Sequence, residues 1–121
     1  MEANPLSDIT MHGIANCDTI KKAKKWLADN GIAYDFRDYK KQPPSVSEIE
    51  NWTKLVSWEQ LVNKRGTTWR KLDPALQNSV NTDSAPQLLA DNPSMIKRPL
   101  VIKGDQAILG FAITSYEQFF A

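Results

Sequence analysis

The stretch MHGIANCDTIKKAKKW, residues 11–26, contains a change of period that decides how the chain is read. Before it, DITMHGI, residues 8–14, carries Ile9, Met11 and Ile14, a short apolar strand that runs into a loop. After it, Ile20, Ala23 and Leu27 recur at helical spacing, with Trp26 beside them. Cys17 stands where one pattern gives way to the other, and it is the only cysteine in the chain. Lys21, Lys22, Lys24 and Lys25 fill the remaining positions and predict a water-facing helix side. Asn30-Gly31 is a helix stop, and IAYDFRDY, residues 32–39, alternates like a strand. Residues 8–39 therefore predict strand–helix–strand, a unit whose two strands run parallel if they share a sheet.

Beyond it, Gln42-Pro43-Pro44 breaks the chain. Ser45 with Glu48 fits a capping box, and Ile49, Trp52, Leu55 and Val56 give the next helix one apolar face. Ser57 with Gln60 is a second capping signal, ahead of a short helix ended by Gly66. TTWRKL, residues 67–72, fits neither period cleanly, and residues 83–92 predict a helix that stops at Asn92-Pro93. RPLVIK, residues 98–103, and QAILGF, residues 106–111, flank Gly104-Asp105 as a hairpin. Thr114 with Glu117 suggests a third capping box, opening a last helix with an aromatic face of Tyr116, Phe119 and Phe120. The predicted order is β-α-β, helices, β-β-α. That is an α/β chain with a thioredoxin-like core, a mixed four-stranded sheet and a helical insertion at about 45–95. Residues 1–7 read as a polar tail, and 8–121 as a single domain.

The totals narrow the function classes. Fifteen Lys+Arg stand against fourteen Asp+Glu, a formal net charge of +1, which gives no electrostatic case for nucleic acid or an anionic membrane. One Cys and one His leave no cysteine-based metal site, and no metal is expected. MEANPLSD has no charged and apolar leader pattern, and no run reaches membrane-spanning length. A cytoplasmic location is the expectation.

Cys17 falls at the expected start of the first helix, where free backbone N–H groups and the positive end of the helix dipole favour a thiolate. The same amides, from Asn16 through Asp18 and Thr19 to Ile20, are placed to stabilise a substrate oxyanion or the sulfur's charge. Asp18 works against a second negative charge unless it turns outward to cap the helix. The bland alternative is a small buried core residue. Arg65, before Gly66, and Arg98, before Pro99, offer rigid donor forks for oxyanions or carboxylates. The bland alternatives there are a helix-end charge and a surface residue at a strand start. His12 lies five residues before Cys17 and reads as an ordinary strand residue.

Together, GIANCDTIKKAKKWL, NKRGTTWRKL and IKRPLVI with the following GD and ILGF resemble the arsenate-reductase-like family of ArsC, Spx and YffB proteins, closest to the YffB branch. The likeness spans about residues 8 to 120. It implies a thioredoxin-like fold, Cys17 as the active-site cysteine, and Arg98 with a cis Pro99 as the family's Arg-Pro pair. Arg65 corresponds to an arginine of the Spx and YffB branches. The functional arginine of true arsenate reductases falls where this chain has Asn63, and a further Arg-Pro pair falls at Gly110-Phe111. Fewer guanidinium donors would hold arsenate less well.

The resulting expectation is a monothiol oxidoreductase with Cys17, Arg65 and Arg98 as catalytic residues. Asn16, Asp18, Thr19 and Pro99 would contact substrate. No tightly bound cofactor is expected. Glutathione is the expected co-substrate, because a lone thiol needs an external one to resolve its adduct. Two alternatives stand beside it: an Spx-like regulatory protein that binds RNA polymerase, lacking here the Cys-x-x-Cys often found in Spx, and a true arsenate reductase.

Overall fold

A computed structural model describes residues 8–15 and 17–121. The described residues divide into two compact units, one of those up to residue 41 with 98–121 and the other of residues 42–97.

The first unit is built on a mixed four-stranded sheet. Its strands are β1 (Ile9–Gly13), β2 (Asp35–Asp38), β3 (Leu100–Lys103) and β4 (Gln106–Leu109), in the order β2-β1-β3-β4. β1 and β2 are parallel, whereas β1–β3 and β3–β4 are antiparallel. This is the sheet of a thioredoxin-like α/β fold, as the element order predicts. Helix α1 (Asp18–Asp29) makes the crossover between β1 and β2. Its Ile20, Ala23 and Leu27 are fully buried and pack with Ile9, Met11, Val101 and Tyr116 in one core cluster.

α1 ends as its sequence demands. Gly31 takes a left-handed φ of 66°, and the N–H groups of Gly31 and Ile32 donate to the carbonyls of Ala28 and Leu27 at 3.1 and 3.0 Å. Those two bonds satisfy carbonyls that the helix end would leave exposed. Lys25 pairs with Asp29 at 2.9 Å, and Lys24 sits 3.7 Å above the Phe36 ring, so the lysine side is partly engaged rather than merely solvated.

The second unit holds α2 (Val46–Trp52), α3 (Trp58–Leu61), α4 (Thr67–Arg70), α5 (Pro74–Ser79) and α6 (Ala85–Asp91), followed by a 3₁₀ turn at Pro93–Met95. Both expected capping boxes form, Ser45 with Glu48 and Ser57 with Gln60. A bridge between Val62 and Ile96 ties the end of α3 to the residues after the 3₁₀ turn. α5 had no apolar period to reveal it, since none of its residues is buried; Asp73 and Pro74 start it instead.

The last helix, α7 (Ile113–Phe119), corrects one expectation. Its N-cap is Ala112, with no side-chain cap, so Thr114 lies inside the first turn and the Thr114–Glu117 box does not form. The start is set instead by packing of Tyr116. Its ring is fully buried, edge-on to Trp26, Phe111 and Phe120, and its hydroxyl donates to the Gly110 carbonyl at 2.8 Å. Burial raises the Tyr116 phenol well above its ordinary pKa.

Candidate active site

Cys17 is the N-cap residue of α1, half-buried, with an extended backbone (φ −110°, ψ 129°). Its carbonyl accepts from the Lys21 N–H at 3.0 Å, the first turn of the helix. The sulfur thus hangs beside N–H groups that have no partner within the helix. Desolvation of the sulfur pushes its pKa up. The backbone N–H groups of Ile20 and Thr19, then a hydrogen bond and charge from the Arg98 guanidinium, outweigh it, and the thiol ends below its ordinary value of 9.0. The neutral side chain makes no capping bond of full geometry. The two amides act first as oriented dipoles, and a thiolate is the better acceptor for them.

Arg98 reaches this position because β3 pairs with β1. The register sets Met11 opposite Val101 and His12 opposite Leu100, so the residues just before β3 run beside the end of β1. The Arg98–Pro99 peptide is cis, as the family likeness implies, and Pro99 is buried. Gly13 ends β1 at this place, with its carbonyl accepting from the Tyr39 N–H at 2.8 Å. A β-carbon on Gly13 would fall inside van der Waals contact of Ile20 Cδ1, 3.2 Å from Ile20 Cγ1 and 3.9 Å from Arg98 Cβ.

Thr19, expected to contact substrate, has its backbone N–H among the groups that lower the Cys17 pKa. Asp18 is exposed as the first residue of α1. Asn16 lies outside the described residues. His12 is buried on β1, its ring stacked 6.3 Å from that of Tyr39, and it is not among the groups that shift the Cys17 thiol.

Arg65 belongs to the second unit, in the loop between α3 and α4. Its backbone N–H donates to Asn63 Oδ1 at 3.3 Å. It lines a cavity of about 340 Å³ with Val62, Asn63, Lys64 and Lys97. Three of those five residues are cationic and none is acidic, a lining suited to an anion. Lys64 and Lys97 were not selected from sequence, because their convergence depends on the Val62–Ile96 bridge. Lys64 Nζ also lies 5.6 and 5.7 Å from the Trp58 and Trp69 rings, which hold it near that wall.

Known proteins share this architecture. A model of the ArsC family matches residues 12–119. A Haemophilus influenzae protein of uncharacterised function is 42% identical over 113 residues, covering 93% of this chain and 99% of that one. The solved structure of a protein named YffB superposes with a TM-score of 0.88 at 37% identity, over 93% of this chain and 99% of that one. The global transcriptional regulator Spx of Listeria innocua is 26% identical, over 85% of this chain and 79% of that one.

Proposed function

The chain belongs to the ArsC family, and from that premise we propose that it is a monothiol oxidoreductase that uses glutathione. The observation that carries this reading is the environment of Cys17: a helix N-cap sulfur flanked by the amides of Thr19 and Ile20 and by the Arg98 guanidinium.

As a thiolate, Cys17 attacks the glutathionyl sulfur of a mixed disulfide. The S–S bond breaks, the departing thiolate takes a proton from water, and Cys17 holds the glutathionyl group as a new disulfide. Arg98 and the two amides balance the charge on the Cys17 sulfur before attack and again when it leaves. The thiolate of a second glutathione then attacks the glutathionyl sulfur. It releases Cys17 as thiolate and carries away oxidised glutathione. Because the chain has no other cysteine, this second step must come from outside. Arg65 and Arg98 are the cations proposed for the carboxylates of glutathione.

Turnover of a glutathione mixed disulfide, measured with glutathione as reductant, tests this. Activity is expected in the wild type, and its loss in Cys17→Ser. Arg65→Ala is expected to raise KM for glutathione about tenfold, a figure typical of losing one charged contact. Full activity in Cys17→Ser would overturn the reading. Arsenate reduced faster than the disulfide would make the protein an arsenate reductase. The likeness to Spx supports a second reading, a regulator that binds RNA polymerase. Capture of purified polymerase by this chain, undiminished in Cys17→Ser and without turnover of either substrate, would favour it.

A further inference from the structure

We propose that Gly13 is a positioning residue for the reactive thiol: its missing side chain is what lets the first turn of α1 and Arg98 close together around the Cys17 sulfur. The inference rests on the thiolate reading above and extends it to a residue that touches no substrate.

The geometry is specific. Gly13 is buried at the end of β1. A β-carbon there would overlap Ile20 Cδ1, come within 3.2 Å of Ile20 Cγ1 and lie 3.9 Å from Arg98 Cβ. Those two neighbours carry two of the groups that stabilise the sulfur's charge, the Ile20 N–H and the Arg98 guanidinium. Gly13 has no φ in the left-handed region, so its backbone does not require glycine; the space does. The backbone cannot retreat freely either, since the Gly13 carbonyl is held by the Tyr39 N–H at 2.8 Å.

Ile20 is the group that would have to move. Its side chain is fully buried in the cluster with Met11, Leu27 and Val101, so turning Cδ1 away means displacing packed neighbours. Shifting the first turn of α1 away from the end of β1 relieves the overlap without turning Cδ1 against those packed neighbours. That shift carries the Ile20 and Thr19 amides away from Cys17. The charged side chains beside the thiol are Arg98, on the segment leading into β3, and Asp18, exposed at the head of α1. Neither can take over the role of the lost amides.

The test is the pH dependence of Cys17 alkylation by iodoacetamide in four proteins: wild type, Ile20→Val, Gly13→Ala, and Gly13→Ala with Ile20→Val. Circular dichroism confirms folding in each. Gly13→Ala is expected to raise the thiol pKa and slow alkylation at neutral pH by roughly 3- to 10-fold, since one pKa unit is a factor of ten in thiolate. Removing Cδ1 in the double variant is expected to return part of that loss, leaving its pKa between those of Ile20→Val and Gly13→Ala. A Gly13→Ala thiol that titrates like wild type, or a rise that Ile20→Val does not reduce, overturns the proposal. If Gly13→Ala does not fold, the double variant is compared with Ile20→Val: a higher pKa supports the proposal and equality overturns it. If neither folds, Gly13 serves the fold rather than the thiol and the proposal fails. A wild-type thiol of ordinary pKa would instead sink the thiolate reading itself, before any Gly13 variant is considered.

Discussion

The guanidinium of Arg98 lowers the pKa of the Cys17 thiol, coupling the cis Arg98–Pro99 segment to the head of α1. Burial opposes ionisation of this thiol, and the two amides and the arginine reverse the balance. The midpoint of a thiol-alkylation profile is therefore expected below pH 9.0 in the wild type. Arg98→Ala is expected to move that midpoint upward. The rate at neutral pH should then fall about tenfold for each pH unit the midpoint climbs.

The depressed thiol also gives stability a pH dependence of known sign. A thiol whose folded pKa is depressed stabilises the fold in its ionised form. That contribution is complete above the unfolded value, near pH 9, and is lost as pH falls through the folded value. Urea midpoints of wild type minus Cys17→Ser should therefore rise with pH on approaching 9. A flat difference would mean the thiol titrates alike in both states.

Tyr116 gives the opposite sign. Its phenol is held above the ordinary value of 10.0 by burial, so its contribution is complete below pH 10 and is lost at higher pH, as the unfolded chain ionises first. Ultraviolet titration should show a tyrosine step that comes only with alkaline unfolding and is smaller in Tyr116→Phe. Tyr116→Phe keeps the ring contacts but leaves the Gly110 carbonyl without its donor, and is expected to cost about 1–2 kcal/mol in urea unfolding.

In the second unit, the Ser45 side chain accepts from the Glu48 N–H at 3.2 Å while Glu48 accepts from the Ser45 N–H at 3.1 Å. Ser45→Ala is expected to cost about 1 kcal/mol in urea unfolding, and Ser45→Asp to recover most of it. Ser84 holds the corresponding place before α6 but makes no such cap; its hydroxyl accepts from the Asn81 N–H at 3.0 Å instead.

Much of this was legible from residue spacing alone. Ile20, Ala23 and Leu27 gave the buried face of α1, and the two serine boxes gave the starts of α2 and α3, because local pattern and tertiary packing agree there. They disagree at α7, where burial of Tyr116 starts the helix ahead of Thr114. The predicted strand 32–39 shrank to Asp35–Asp38, since only four of its residues continue the β2 ladder. Cys17 was legible because a strand-to-helix junction is a local event. The contact with Arg98 was not, because it depends on how β3 pairs with β1, and family likeness supplied the arginine instead. Gly13 did leave a signal: a glycine within an apolar strand marks a close approach of something else.

The pairing of β3 with β1 also acts as a check on errors of assembly. A one-residue slip would carry Arg98 about 3.4 Å along the strand and turn Val101 off the face shared with Met11, Ile20 and Leu27. A chain paired in the wrong register would lose core packing and the thiol's arginine in the same step. Misfolded copies of this protein should therefore be fragile ones, cleared before they persist as stable, inactive molecules.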